Sequence, residues 1–183
     1  MPDAATQIDS LLRELQENSR SAASLSAEHT SAQLLQRPRE KSWSAAECIE
    51  HLNLTNRAYL PRIEEAFRTL SEKNLRPTGP FRLDFNARLL KFYLEPPSRL
   101  RLPTGEPFKP VDAQNPVATI ANFQSLNQQL EEKLAAARAL ALDAAKISSP
   151  FAEKMKYSVY SAFVLITAHN RRHLWQAQRA LRA

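Results

Sequence analysis

Glycine and cysteine are nearly absent: 183 residues contain two glycines and one cysteine, Cys48. Where glycine is this scarce and Ala, Leu, Arg, Gln and Glu are abundant, helix is favoured over strand. One thiol cannot close a disulfide within the chain, so a reducing compartment is expected. The opening Met-Pro-Asp-Ala-Ala-Thr-Gln has neither a basic head nor an apolar centre, and no secretory leader is expected. No apolar run approaches the roughly 18 residues of a spanning helix. The longest candidate, Tyr160 to Ala168, is short and carries Ser161 and Thr167. These absences predict a soluble, cytoplasmic protein with no membrane partner.

What remains is ordinary in bulk. Hydrophobic residues at 43% and charged residues at 24% are typical of a globular protein, and the length predicts a single domain over 1–183. A net charge of +6 raises the question of nucleic acid. The basic residues are scattered, however. Their one dense cluster, Arg171, Arg172, Arg179 and Arg182, has no recognition motif around it and reads as a solvated face. No nucleic-acid partner is expected.

Ile8, Leu11, Leu12 and Leu15 recur at helical spacing between Asp3 and about Ser24. A short piece capped by Ser26 is expected to run to Gln36, with Pro38 ending it. Trp43-Ser44-Ala45-Ala46-Glu47 marks a sharper start, because Ser44 and Glu47 have capping-box spacing. Cys48, Leu52, Tyr59, Ile63, Phe67 and Leu70 then form one apolar stripe, and Pro61 within it predicts a kink or break. From Arg76 to Pro116 lie eight of the twelve prolines and both glycines, around a short amphipathic helix expected at about Leu83 to Leu94. Connections this long usually cover something. Asn115-Pro116 opens a third long helix reaching Ala137. After a break at Pro150 the last helix runs from about Tyr157 to Leu181. With no convincing strand, the pattern predicts an all-α fold. The expected form is an up-down four-helix bundle whose Pro-rich crossover, 76–116, joins the second and third long helices.

On the last helix Ala162, Ile166, His169, His173 and Ala177 fall in line, so two imidazoles one turn apart share an inward face. His51 stands beside Cys48 and Thr55 at the edge of the stripe on the helix that Ser44 opens. A third nitrogen beside the pair would complete a three-His metal site with open coordination positions, as catalytic sites keep. The alternative is that His51 merely meets a carbonyl or carboxylate and the pair holds nothing. The pair lacks the glutamate of an H-E-x-x-H site. Cys48 either lines this place or is a small buried hydrophobe. Trp43 is expected to staple the helix start. Glu50, Thr55 and Asn170 are candidates to orient the imidazoles.

Trp43-Ser44-Ala45-Ala46-Glu47-Cys48-Ile49-Glu50-His51-Leu52 and His169-Asn170-Arg171-Arg172-His173-Leu174-Trp175-Gln176 together resemble the DinB-like superfamily of bacterial four-helix bundles. Arg37-Pro38, Tyr-Leu-Pro-Arg-Ile at 59–63, Leu-Pro-Thr-Gly-Glu-Pro-Phe-Lys-Pro at 102–110 and Ser-Pro-Phe at 149–151 extend the likeness from about Ile8 to Arg182. The resemblance implies a divalent metal, zinc or nickel, held by His51, His169 and His173. It also implies a homodimer, and a metal-dependent thiol S-transferase that joins a low-molecular-weight thiol to a small electrophilic substrate. A non-catalytic stress-response or binding protein of the same fold, with or without metal, is the alternative.

Overall fold

The computed structural model describes residues 2–97, 103–111 and 113–182. Residues 98–102 and 112 of the expected crossover, Leu102 of its Pro-rich run among them, lie outside the described residues. Four long helices carry the fold: α1 (Ala4–Glu28), α3 (Ala45–Glu72), α5 (Pro116–Ala136) and α6 (Val159–Ala180). Between them lie α2 (Ser31–Leu35), α4 (Phe85–Leu94), a 3-10 turn at Glu106–Phe108, and two strands, β1 (Lys146–Ser148) and β2 (Lys156–Ser158). No helix among the described residues is long and apolar enough to cross a membrane.

Local chemistry sets the helix ends. At α3 the Glu47 N–H donates to Ser44 Oγ at 3.1 Å and the Ser44 N–H donates to Glu47 Oε2 at 2.8 Å, the expected capping box. Arg37 braces it from outside by pairing with the Glu47 carboxylate. Asn115 caps α5 with Pro116 in the first turn, as its sequence predicts. Ser26 does not cap. Its hydroxyl donates back to the Ala23 carbonyl inside α1, which runs on to Glu28, and Thr30 with Gln33 caps α2 instead. Pro61 does not break α3. It and Arg57 are both exposed, so the carbonyl that the ring deprives of a donor is left to water.

Each of α1 and α3 packs against both α5 and α6, so α1 lies across the bundle from α3 and α5 from α6, while the consecutive long helices α3 and α5 are neighbours. The apolar core comes in two pieces. At one end Ile8, Leu11 and Leu15 meet Ile63, Leu70, Leu130, Leu134, Phe163 and Ile166. At the other, Ala22 and Leu25 meet Ala45, Ile49, Leu52, Ile120, Phe123, Leu174 and Ala177. Read along each helix, this membership makes α1 and α6 run one way and α3 and α5 the other. The expected up-down alternation is therefore corrected to an up-down-down-up order. Its physical consequence is plain: α3 finishes at the end opposite to where α5 begins, so the connection between them must travel the bundle's length.

Buried amides lie between the two apolar pieces and tie the helices together. Asn127 Nδ2 donates to the Leu15 carbonyl at 2.6 Å and to Ser19 Oγ at 2.7 Å, and Asn170 Nδ2 reaches Asn127 Oδ1 at 3.3 Å. Asn53 Nδ2 donates to the Thr119 carbonyl at 3.0 Å. A slipped helix would strand these amides in the core, so the layer also fixes register.

The expectation of no strand fails over six residues. β1 and β2 form an antiparallel ribbon pairing Ile147 with Tyr157, and Pro150 lies in its loop rather than at a helix break. Three residues per strand are too few to show alternation in a sequence. The short helix expected in the crossover is present as α4, but its large apolar side chains are not buried. Its apolar residues Phe85 and Phe92 are 82% and 76% exposed, and only Ala87 is buried.

Asp84 joins the crossover to the start of α6. Its Oδ2 accepts from the Ser158 N–H at 2.6 Å and from Ser161 Oγ at 2.9 Å, with Lys146 Nζ 3.4 Å from Oδ1. Burial would raise this carboxyl, but the hydrogen bonds from Ser158 and Ser161 and the Lys146 charge outweigh it and hold the group below its ordinary 3.8. A depressed carboxyl stabilises the fold above its unfolded value, and the contribution is lost as pH falls through the lower folded value. Asp84→Ala is expected to cost about 1–2 kcal/mol in urea denaturation at pH 7. The gap should narrow as the solution is acidified, and a gap independent of pH would contradict the assignment.

Candidate metal centre

α3 and α6 bring His51, His169 and His173 to one point in the polar layer. The three are 3%, 9% and 7% exposed, and one ring nitrogen from each lies within 4.8 Å of the others. Ring centroids are 4.4 to 5.1 Å apart. The expectation that the α6 pair turns inward and meets His51 therefore holds in space.

The orienting contact comes from an unexpected place. His51 Nδ1 lies 2.7 Å from the carbonyl oxygen of Phe108, in the 3-10 turn of the Pro-rich connection. A carbonyl only accepts, so Nδ1 carries the proton and Nε2 keeps its lone pair. That Nε2 lies 3.2 Å from His169 Nε2. The three residues proposed from sequence do not hydrogen-bond an imidazole. Glu50 accepts from Asn53, Asn170 donates to Asn127, and Thr55 donates to the Leu52 carbonyl.

Burial lowers the basicity of all three rings. For His51 the hydrogen bond to Phe108 partly opposes it. His169 is held well below 6.5 by burial, then by its neighbours His51 and Arg172. His173 is held well below by burial, then by His169, His51 and Arg172, with Gln176 opposing. At neutral pH the cluster is three neutral imidazoles, the ligand form.

A divalent metal fits this donor set. Two nitrogens about 2.0–2.1 Å from one tetrahedral ion stand about 3.4 Å apart, close to the 3.2 Å between His51 Nε2 and His169 Nε2. His173 Nδ1 is buried with no hydrogen-bond partner among the described residues, a cost that a bound cation nearby or a reoriented ring would remove. Three imidazoles with no carboxylate suit zinc, copper, iron or nickel over magnesium or calcium.

The imidazoles form part of the wall of a cleft of about 1110 Å³. Trp43, expected only to staple α3, covers them, its ring 5.0 Å from His51 and 5.9 Å from His173. Phe151 packs on His169 at 5.6 Å and on Phe108 at 4.8 Å. Tyr59 and Tyr157, also in the wall, share a 2.6 Å hydrogen bond between hydroxyls. Burial raises both phenols, so they stay protonated and able to donate. Tyr157 comes from the strand that the sequence did not reveal. Arg171 is neither solvated nor in the cleft wall, since it pairs with Glu14 and Glu95 at 2.6 Å each. Arg172 is buried, lines the cleft and donates to the Tyr93 carbonyl at 2.8 Å.

Helices in this order around a buried three-imidazole cluster define a four-helix protein with a candidate metal centre. The sequence model of the DinB superfamily matches residues 11–177, and the chain belongs to that superfamily. Among solved structures it is similar to YfiT from Bacillus subtilis, with a TM-score of 0.60 and 17% identity over 96% of this chain and 86% of that one. YfiT is described as a probable metal-dependent hydrolase with an unusual four-helix bundle topology. No curated protein matches this chain.

Both readings of Cys48 hold: it lines the cleft beside the imidazoles, and it is a buried thiol, pushed up to about 12 by burial and then by the Glu47 charge. It should resist a disulfide reagent in the native protein at pH 8 and react fully once unfolded. Rapid stoichiometric labelling of the native protein would contradict this burial.

Proposed function

We propose that His51, His169 and His173 hold one divalent cation, zinc or nickel, and that the protein is a metal-dependent thiol S-transferase. In this reading a low-molecular-weight thiol reacts with a small electrophile, and residues 1–183 act as one domain within a homodimer. The observation that carries it is the orientation of His51: the Phe108 carbonyl holds the proton on Nδ1 and leaves Nε2 facing the other two imidazoles. A divalent cation there would supply Lewis acidity, lowering the pKa of a thiol or water beside it into the neutral range. The chain's own groups do the rest. Trp43 and Phe151 exclude water from the imidazoles. The protonated phenols of Tyr59 and Tyr157 share one hydrogen bond, which leaves one O–H between them to donate in the same cleft. The same arrangement would serve water in place of a thiol, and the description of YfiT as a probable metal-dependent hydrolase favours hydrolysis as the second reading.

Protein purified without an affinity tag should carry about one metal ion per chain, and the His169→Ala/His173→Ala variant almost none. Metal-loaded protein is then expected to consume a thiol in step with an electrophile, and the double variant to do neither. Ester or amide cleavage without thiol consumption would select hydrolysis. Bound metal with no turnover would leave the non-catalytic reading, and no metal after incubation with zinc or nickel would end both catalytic readings and leave a helical binding protein.

A further inference from the structure

The metal reading leaves the charge of the cleft unused. Four cationic side chains line it, Arg39, Lys41, Arg172 and Arg179, and no Asp or Glu does among the described residues. Three of the four, Arg39, Lys41 and Arg179, are exposed. None of these three appears among the ion pairs of the described residues. Their neighbours show that pairing is the local habit: Arg37 takes Glu47, and Arg171 takes Glu14 and Glu95. Arg179 instead lies over the Trp175 ring at 4.9 Å, which holds the guanidinium at the cleft without neutralising it. Like charges gathered without counter-charges repel one another and destabilise a fold, and they persist where they attract a ligand.

Resting on the metal reading for its reactive end, we propose that the substrate taken by this cleft is a small organic anion. Its carboxylate or phosphate docks on Arg39, Lys41 and Arg179 at the rim while its reactive part reaches the imidazoles. Arginine forks suit such oxyanions by bidentate hydrogen bonding, and lysine adds a compact charge. Leu90, Leu94, Trp43 and Trp175 add an apolar lining to the same cleft. The site is therefore selective for charge: a neutral ligand leaves the rim cations unanswered.

Both tryptophans of the chain line the cleft, so their emission reports its occupancy. The experiment uses full-length protein stripped of metal, titrated with glutarate, with inorganic pyrophosphate, and with glutaramide as the neutral isostere of glutarate. Glutarate and pyrophosphate should shift the emission saturably and glutaramide should not. In Arg39→Gln/Lys41→Gln/Arg179→Gln the affinity for both anions should fall about tenfold. A control triple variant, Arg13→Gln/Arg57→Gln/Arg68→Gln, removes the same charge from exposed positions outside the cleft wall. It should bind within about twofold of the parent, its loss being screened at a distance. Equal weakening in the two triples would reduce the effect to net charge and overturn the proposal, as would glutaramide binding as well as glutarate, or no binding by the parent. Metal content is measured on the same proteins as purified, before the metal is stripped. Absent metal with anion binding intact would sink the metal reading alone, and bound metal with no anion binding would sink this one alone.

Discussion

Three buried imidazoles cannot share so small a space in charged form. His51, His169 and His173 are packed ring against ring, and Arg172, itself positive, adds to the repulsion that His169 and His173 feel. The cluster is stable only as neutral rings, and neutral rings present lone pairs that need donors. One proton is accounted for, because the Phe108 carbonyl takes that of His51 Nδ1. What remains is a crowded set of ring nitrogens: His51 Nε2 meets His169 Nε2 at 3.2 Å, and His173 Nδ1 is buried with no hydrogen-bond partner among the described residues. The rest of the molecule can be read as the means of holding that arrangement in place.

The parallel run of α3 and α5 is one such means. It forces the connection after α3 to return along the bundle, and that returning chain brings the turn at Glu106–Phe108 against His51. The layer of buried amides is another. Asn127, Asn170 and Asn53 lock the register of the helices at the level where the histidines stand. The apolar pieces on either side supply the burial energy that lets the middle be polar.

Much of this was legible in the sequence because it rests on short-range rules. Ser44 and Glu47 announce α3, Asn115 and Pro116 announce α5, and the spacing of His169 and His173 puts them on one face whatever surrounds them. What escaped depends on contacts distant in the chain. A backbone carbonyl has no sequence signature, so nothing in the sequence points from Phe108 to His51, whereas the polar side chains nearest the histidines in the chain are conspicuous. Helix direction escaped for the same reason. A hydrophobic stripe says which face is buried but not which way its neighbour runs, and alternation was the default that the long connection argued against. Tyr157 looks in sequence like the start of a helix because three-residue strands leave no periodicity. The rim cations became visible only once the chain turned Arg39, Lys41 and Arg179 toward one cleft.

The central claim is that three imidazoles and no thiol hold the ion. X-ray absorption at the zinc edge, on protein loaded with one equivalent of zinc, reads the ligand shell directly. The account predicts three imidazole nitrogens at about 2.0 Å, an oxygen in the remaining position and no sulfur. A sulfur ligand from Cys48, or a shell with fewer than three imidazoles, would contradict it.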